Sequence, residues 1–477
     1  MSVDLNRSIA TVMAEFATRV DAATALGTLR LTTALQSGTA VSGYILDARP
    51  GSTIVSNIPG VTVDNAHRKY SGTPTGGAAT IANGLVETWG GADNSPKATP
   101  VTVTESTFLI TNGATNTISK AKLAAVKAGT SRMVVAHVGD STTHGYQNNN
   151  TANRTGTAAN SYVGQLPALS SAALSAPAVA NALMGASDEA VSYMPTYEPR
   201  HSNPSSLWTL LSTGQASNSV GGWPWTATDV NASWNFTPTG NVDKIDVYWL
   251  TDNASGGTAG NVLASVDGGA TLATLTGAQA QALRKQTLTV ASGIHTVNLK
   301  PAVAGTASFI AGVDCYNSAV KSISHLNLGW GARKAADMAS ETYGYSYLKG
   351  LKIIAPDLTI INIGINDWTG GTSVASFKTS MQAIITGAKL SGDVWLMTPF
   401  PSDTSAASQS AQDAIVTAIK DLGVTNSLYV IDCYSRFGSY TQAVANGLAN
   451  DLYKLHPNTA GYALMADSVT KALATLA

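Results

Sequence analysis

The chain has 477 residues, of which 12% are charged, with a formal net charge of −1. That length exceeds one ordinary core and implies several domains, and the near-neutral balance excludes the basic field that nucleic-acid binding requires. Two distant cysteines, Cys315 and Cys433, supply neither a disulfide framework nor a metal-ligand pattern, and no apolar run has the length of a membrane span.

The first residues, MSVDLNRSIATV, lack a basic start followed by an apolar stretch. No secretory signal is therefore expected, and export would use another route. Residues 8–29 carry Ile9, Val12, Phe16 and Val20 on one helical face, with Ser8 as N-cap. This helix, residues 1–30 of the domain scheme, either packs on its own domain or serves attachment and oligomerisation. Residues 31–128 turn to Thr, Val and Gly with short alternating runs and read as a β-rich region.

An apolar run, Met133-Val-Val-Ala, then stops at Gly139-Asp140-Ser141, and Tyr162, Leu166, Leu169 and Leu174 mark a helix behind it. Between 206 and 318 the text is again β: Lys244–Leu250, Asn261–Gly269, Gln286–Val290 and Gly293–Leu299 alternate cleanly between Gly-rich turns. This stretch predicts a β-sandwich or jelly roll inserted between two parts of an α/β domain, 129–205 and 319–477. In the second part strands at Ile323–Leu328, Asp357–Ile363, Val394–Thr398 and Leu428–Asp432 alternate with helices at Ala332–Ala339, Ser373–Leu390, Ser405–Leu422 and Thr459–Ala477. Such alternation implies a parallel sheet covered on both faces, an α/β/α layer fold.

Three further clusters follow strands or close the chain: Gly329-Trp330-Gly331-Ala332, Gly364-Ile365-Asn366-Asp367, and Asp451 to His456-Pro457-Asn458. A parallel sheet gathers such loops at its carboxyl edge. Acyl transfer needs a nucleophile, a base within reach of it, and donors for the developing oxyanion. Ser141, His456, and a glycine N–H with the Asn366 amide fit those roles.

The four blocks, in this order, resemble those of the SGNH (GDSL-type) hydrolases over roughly 131–205 and 319–477. The resemblance implies Ser141 as nucleophile, His456 as base, and Ser141, Gly331 and Asn366 around the oxyanion; no histidine pair has metal-ligand spacing, so no metal is expected, and no cofactor is. Its second block is one residue short here, so Gly329 or Ala332 stands as an alternative to Gly331. The family's usual aspartate, three residues before the histidine, is replaced by Tyr453. Asp451 then orients His456, or a backbone carbonyl does so in a Ser141–His456 dyad.

Gly139, Asp140, Gly364 and Asp367 read as support for these loops. His144, Trp330 and Trp368 are candidate substrate contacts or rim packing, and Trp223, Trp225 and Trp234 of the insert share that ambiguity. His137 and His325 read as core histidines. The expected activity is removal of short acyl groups, acetyl foremost, from a carbohydrate such as an acetylated surface polysaccharide. A β-rich region behind an N-terminal helix, joined to such a domain, also resembles bacteriophage tail fibres or tailspikes. That implies a virion component, a homotrimer and tail-protein partners; the alternative is a non-catalytic glycan- or receptor-binding protein.

Overall fold

The structure, a computed structural model, describes residues 108–147, 157–187, 190–212, 219–252, 258–449 and 453–477, and the backbone of six strands between 41 and 100. The helix expected over 8–29 and the aspartate Asp451 lie outside the described residues. The chain divides into two units, Met1–Thr107 and Phe108–Ala477. In the first, strands Val41–Tyr44, Lys69–Gly72 and Val61–Asp64 form one antiparallel sheet, and Thr53–Ser56, Leu85–Gly90 and Pro96–Pro100 another.

The second unit is built on a seven-stranded sheet. Its strands are β1 (Leu109–Ile110), β2 (Met133–Gly139), β3 (Ala178–Val179), β4 (Ile323–Gly329), β5 (Leu358–Asn362), β6 (Asp393–Met397) and β7 (Tyr429–Ile431). They lie in the order β1-β7-β6-β5-β2-β4-β3, and every pairing is parallel except that of β1 with β7. The central strand β5 is buried along its whole length, as a parallel sheet between helical layers requires.

Two separate groups of helices cover it. α1 (Tyr162–Leu174) packs on α5 (Thr459–Ala474), while α3 (Val374–Ala388) packs on α2 (Tyr347–Ile354) and α4 (Gln409–Asn426). Serines cap three of these, Ser161, Ser373 and Ser408, each accepting an N–H from the first turn.

Between β3 and β4 the chain builds two antiparallel sheets of six and five strands. They enclose a core of their own, in which Trp225, Trp234, Phe236, Val247, Leu299 and Val313 are buried. The predicted insertion is therefore a sandwich, but its boundary at 206 is corrected. Ala182–Met184 already pairs with Gly312–Asp314, and His201–Ser202 with Asn235–Phe236. The boundary at 128 moves as well: β1 and the helix Thr117–Lys127 belong to the second unit, because β1 extends the parallel sheet beside β7.

Candidate active site

Register positions the site. Gly139 at the end of β2 stands opposite both Gly329 of β4 and Asn362 of β5. The three loops that follow therefore leave the sheet at one level. A Cβ on Gly139 would lie 2.1 Å from Asn362 O, and one on Gly329 2.1 Å from His144 N. Both glycines are required by close approach of neighbouring loops.

Ser141 opens the short helix Ser141–His144, with Asp140 as its N-cap; Asp140 Oδ1 accepts the Thr142 N–H at 3.0 Å. Ser141 Oγ and His456 Nε2 are 2.9 Å apart, and both residues are buried, at 5% and 7% exposure. These side chains come from opposite ends of the domain. His456 sits just before α5, whose N-cap Asn458 accepts the Gly461 N–H. The Tyr146 ring meets His456 edge-on at 6.1 Å.

Gly364 at φ +147 turns the chain from β5 into the helix Ile365–Thr369, which carries Asn366. Asn366 Nδ2 donates to Arg333 O at 3.0 Å, leaving its second hydrogen for another acceptor. Asp367 is buried and accepts the Ala335 N–H at 3.0 Å, which ties the loop after β5 to that after β4. Burial raises its carboxyl above the ordinary range. Burial also pushes the Asp140 carboxyl up to about 6, against the opposing pull of the Thr142 N–H and His456.

The expectation for Gly331 is corrected by its hydrogen bond. Its N–H donates to Ser187 Oγ at 2.7 Å. The Gly329 N–H is committed to Asn327 Oδ1 at 3.0 Å and the Trp330 N–H to Gly139 O at 2.8 Å. Ala332, with left-handed backbone at φ +57 and an exposed position, is the next residue, and its N–H has no acceptor among the described residues. It adjoins Arg333, whose carbonyl holds Asn366. Of the three donors considered from sequence, Ala332 is the one the geometry leaves available.

Two further expectations are corrected. Trp330 is fully buried between the Tyr347 ring and the Arg333 guanidinium, and Trp368 is 4% exposed with its Nε1 donating to Ser402 Oγ at 3.0 Å. Neither presents a face to a sugar. Trp225 and Trp234 are sandwich core, leaving Trp223 half-buried. His144 stacks on Tyr197 at 4.1 Å and lines a cavity of about 410 Å³ together with Glu198, Arg200, His325 and Asn327. His137 and His325 are buried 3.1 Å apart on neighbouring strands, and burial holds both rings neutral by lowering their values, that of His325 to about 3.

Ser187 was not singled out in the sequence. It is an ordinary residue after Gly185-Ala186, and no local pattern marks its contact with a loop 144 positions later.

The description "GDSL-like Lipase/Acylhydrolase family" matches residues 311–464. Over these residues the chain is similar to this family. The matched segment begins after Ser141, yet β2, which delivers Ser141, is paired on both sides with strands inside that segment. A solved structure titled as a peptidoglycan O-acetylesterase is similar in fold, with a TM-score of 0.57 at 15% identity, over 77% of this chain and 99% of the other. A lipase/acylhydrolase from Enterococcus faecalis (TM-score 0.27, 21% identity, 32% of this chain and 76% of the other) is a more distant match. So is a carbohydrate esterase with a carbohydrate-binding domain from Corynascus thermopiles (Myceliophthora fergusii), with a TM-score of 0.25 at 14% identity, over 56% of this chain and 99% of the other. No curated protein sequence matches the chain. No helix among the described residues is long and apolar enough to cross a membrane.

Proposed function

We propose that this protein is a serine esterase of the GDSL type that removes short acyl groups, acetyl foremost, from a carbohydrate. The observation that carries the reading is the 2.9 Å contact of Ser141 Oγ with His456 Nε2. His456 takes the serine proton as Ser141 Oγ attacks the ester carbonyl. The oxyanion is met by the Ser141 and Ala332 N–H groups and the free hydrogen of the Asn366 amide. Collapse of the tetrahedral species expels the sugar alcohol, which receives its proton from His456. The resulting acyl-enzyme is then hydrolysed by a water that His456 deprotonates. Asp451 is assigned to orient the imidazole.

The carbohydrate is supported by the fold likeness to a structure titled peptidoglycan O-acetylesterase and by a chain with only 12% charged residues. With Trp330 and Trp368 buried, sugar recognition falls to other groups around the mouth of the site. The test is hydrolysis of p-nitrophenyl acetate by the protein beside Ser141→Ala, followed by acetate release from acetylated polysaccharides. Turnover confined to the unmodified protein is expected. Equal rates in the two would replace the esterase with a binding protein on the same scaffold.

A further inference from the structure

The sandwich reaches the catalytic loops through Tyr197, which stacks on His144, and through Ser187. Ser187 follows the sandwich strand Ala182–Met184, is fully buried, and holds left-handed backbone at φ +52. Its N–H donates to Gly221 O and its carbonyl accepts the Trp223 N–H, both at 2.9 Å. The two segments are cinched tightly: a Cβ on Gly222 would lie 2.4 Å from Ser187 O, and one on Gly185 2.1 Å from Gly221 O. So held, the Ser187 hydroxyl accepts the Gly331 N–H at 2.7 Å.

A glycine at position 187 would adopt this backbone with less strain. Keeping a side chain where the backbone disfavours one points to a use for the hydroxyl. The Ser187–Gly331 bond fixes the Trp330–Gly331 peptide plane. With Ala332 left-handed, the next N–H along is the one without an acceptor among the described residues.

We propose that Ser187 is a positioning residue for ester hydrolysis, supplied by the inserted sandwich: by holding Gly331 it presents the Ala332 N–H, beside the Asn366 amide, to the oxyanion. This rests on the esterase reading above. Ser187 touches no reacting atom, so its removal should act on kcat and leave the base alone.

The test compares the full chain with Ser187→Gly, which removes the hydroxyl while relaxing the backbone, and with Ser187→Ala as a second variant. Displacing an oxyanion donor should lower kcat for p-nitrophenyl acetate by about 10- to 100-fold. KM should stay within about twofold, and the pH profile should not move, because the Ser141–His456 contact is untouched. A folded Ser187→Gly with kcat within twofold of the unmodified protein overturns the proposal, as does a loss accompanied by a shifted pH profile. If the unmodified protein shows no Ser141-dependent turnover, the esterase reading fails by itself. Amide hydrogen exchange at 331–333 then decides: faster exchange there in the variants supports the positioning contact, and unchanged exchange overturns it.

Discussion

Asp140 offers the sharpest test of the site's electrostatics. Its carboxyl is fully buried at the N-cap of the helix that begins with Ser141. Oδ1 accepts the Thr142 N–H, while Oδ2 has no hydrogen-bond partner among the described residues. Burial, with Asp367 nearby, raises the group from 3.8 to about 6. A carboxyl whose folded value lies above its unfolded value contributes stability that is complete below the unfolded value. That stability is lost as pH rises through the folded one. The full difference, at about 1.4 kcal/mol per pH unit, is about 3 kcal/mol. Asp140→Asn keeps the N-cap acceptor and the shape but does not titrate. The variant should therefore match the unmodified protein near pH 3.5 and gain on it by about 3 kcal/mol by pH 7.5. Urea unfolding followed by tryptophan fluorescence at several pH values measures this. A stability difference that stays constant over that range, or that falls with pH, would refute the reasoning.

Asn366→Ala removes a side-chain donor and should lower kcat for p-nitrophenyl acetate by about 10²- to 10³-fold with KM nearly unchanged; a change confined to KM would assign Asn366 to ground-state binding. The His137–His325 pair has folded values below the ordinary 6.5, so the stability it confers is present above pH 6.5 and lost as pH falls toward about 3 for His325. Urea midpoints should accordingly decline between pH 7 and pH 4, and His325→Leu should make that decline shallower; an unchanged slope would acquit the pair. Asp451→Asn should cost about 10⁴-fold in kcat if the aspartate orients His456, whereas a loss below tenfold would leave a Ser141–His456 dyad.

The catalytic sheet was legible because its strands announce themselves. The runs that became β4 to β7 are short and mostly apolar, and the helices between them open on Ser373 and Ser408. The site was legible in outline because each chemical group lies just past such a strand or just before a capped helix. What stayed hidden was decided across space. The strand Ala182–Met184 reads as sandwich only once its partner, 128 or more positions away, is known. Trp330 lies beside the proposed donors in sequence, yet its indole goes into the core against Tyr347. Gly331 and Ala332 are adjacent, and nothing local says which N–H remains open. A serine from the sandwich makes that choice.

The sandwich is joined to both ends of this strand layer, which bears on how such an insertion coexists with catalysis. At the amino end, Arg132 precedes β2 and pairs with Asp314 of the sandwich, its guanidinium lying 3.9 Å from the Tyr316 ring centroid. The side chains are 16% and 4% exposed. Burial raises the Asp314 carboxyl, while Arg132 counters that rise. Such a pair contributes little net stability over an apolar replacement, but removing one partner strands a charge at a cost of about 3–5 kcal/mol. At the carboxyl end stands the Ser187–Gly331 bond. With the Tyr197 hydroxyl donating to His144 O at 2.7 Å at that same end, ties at both ends resist rotation of the sandwich, so the loop after β4 keeps its geometry although more than a hundred residues interrupt the sheet before it. The insertion is therefore a brace on the site as well as a passenger beside it.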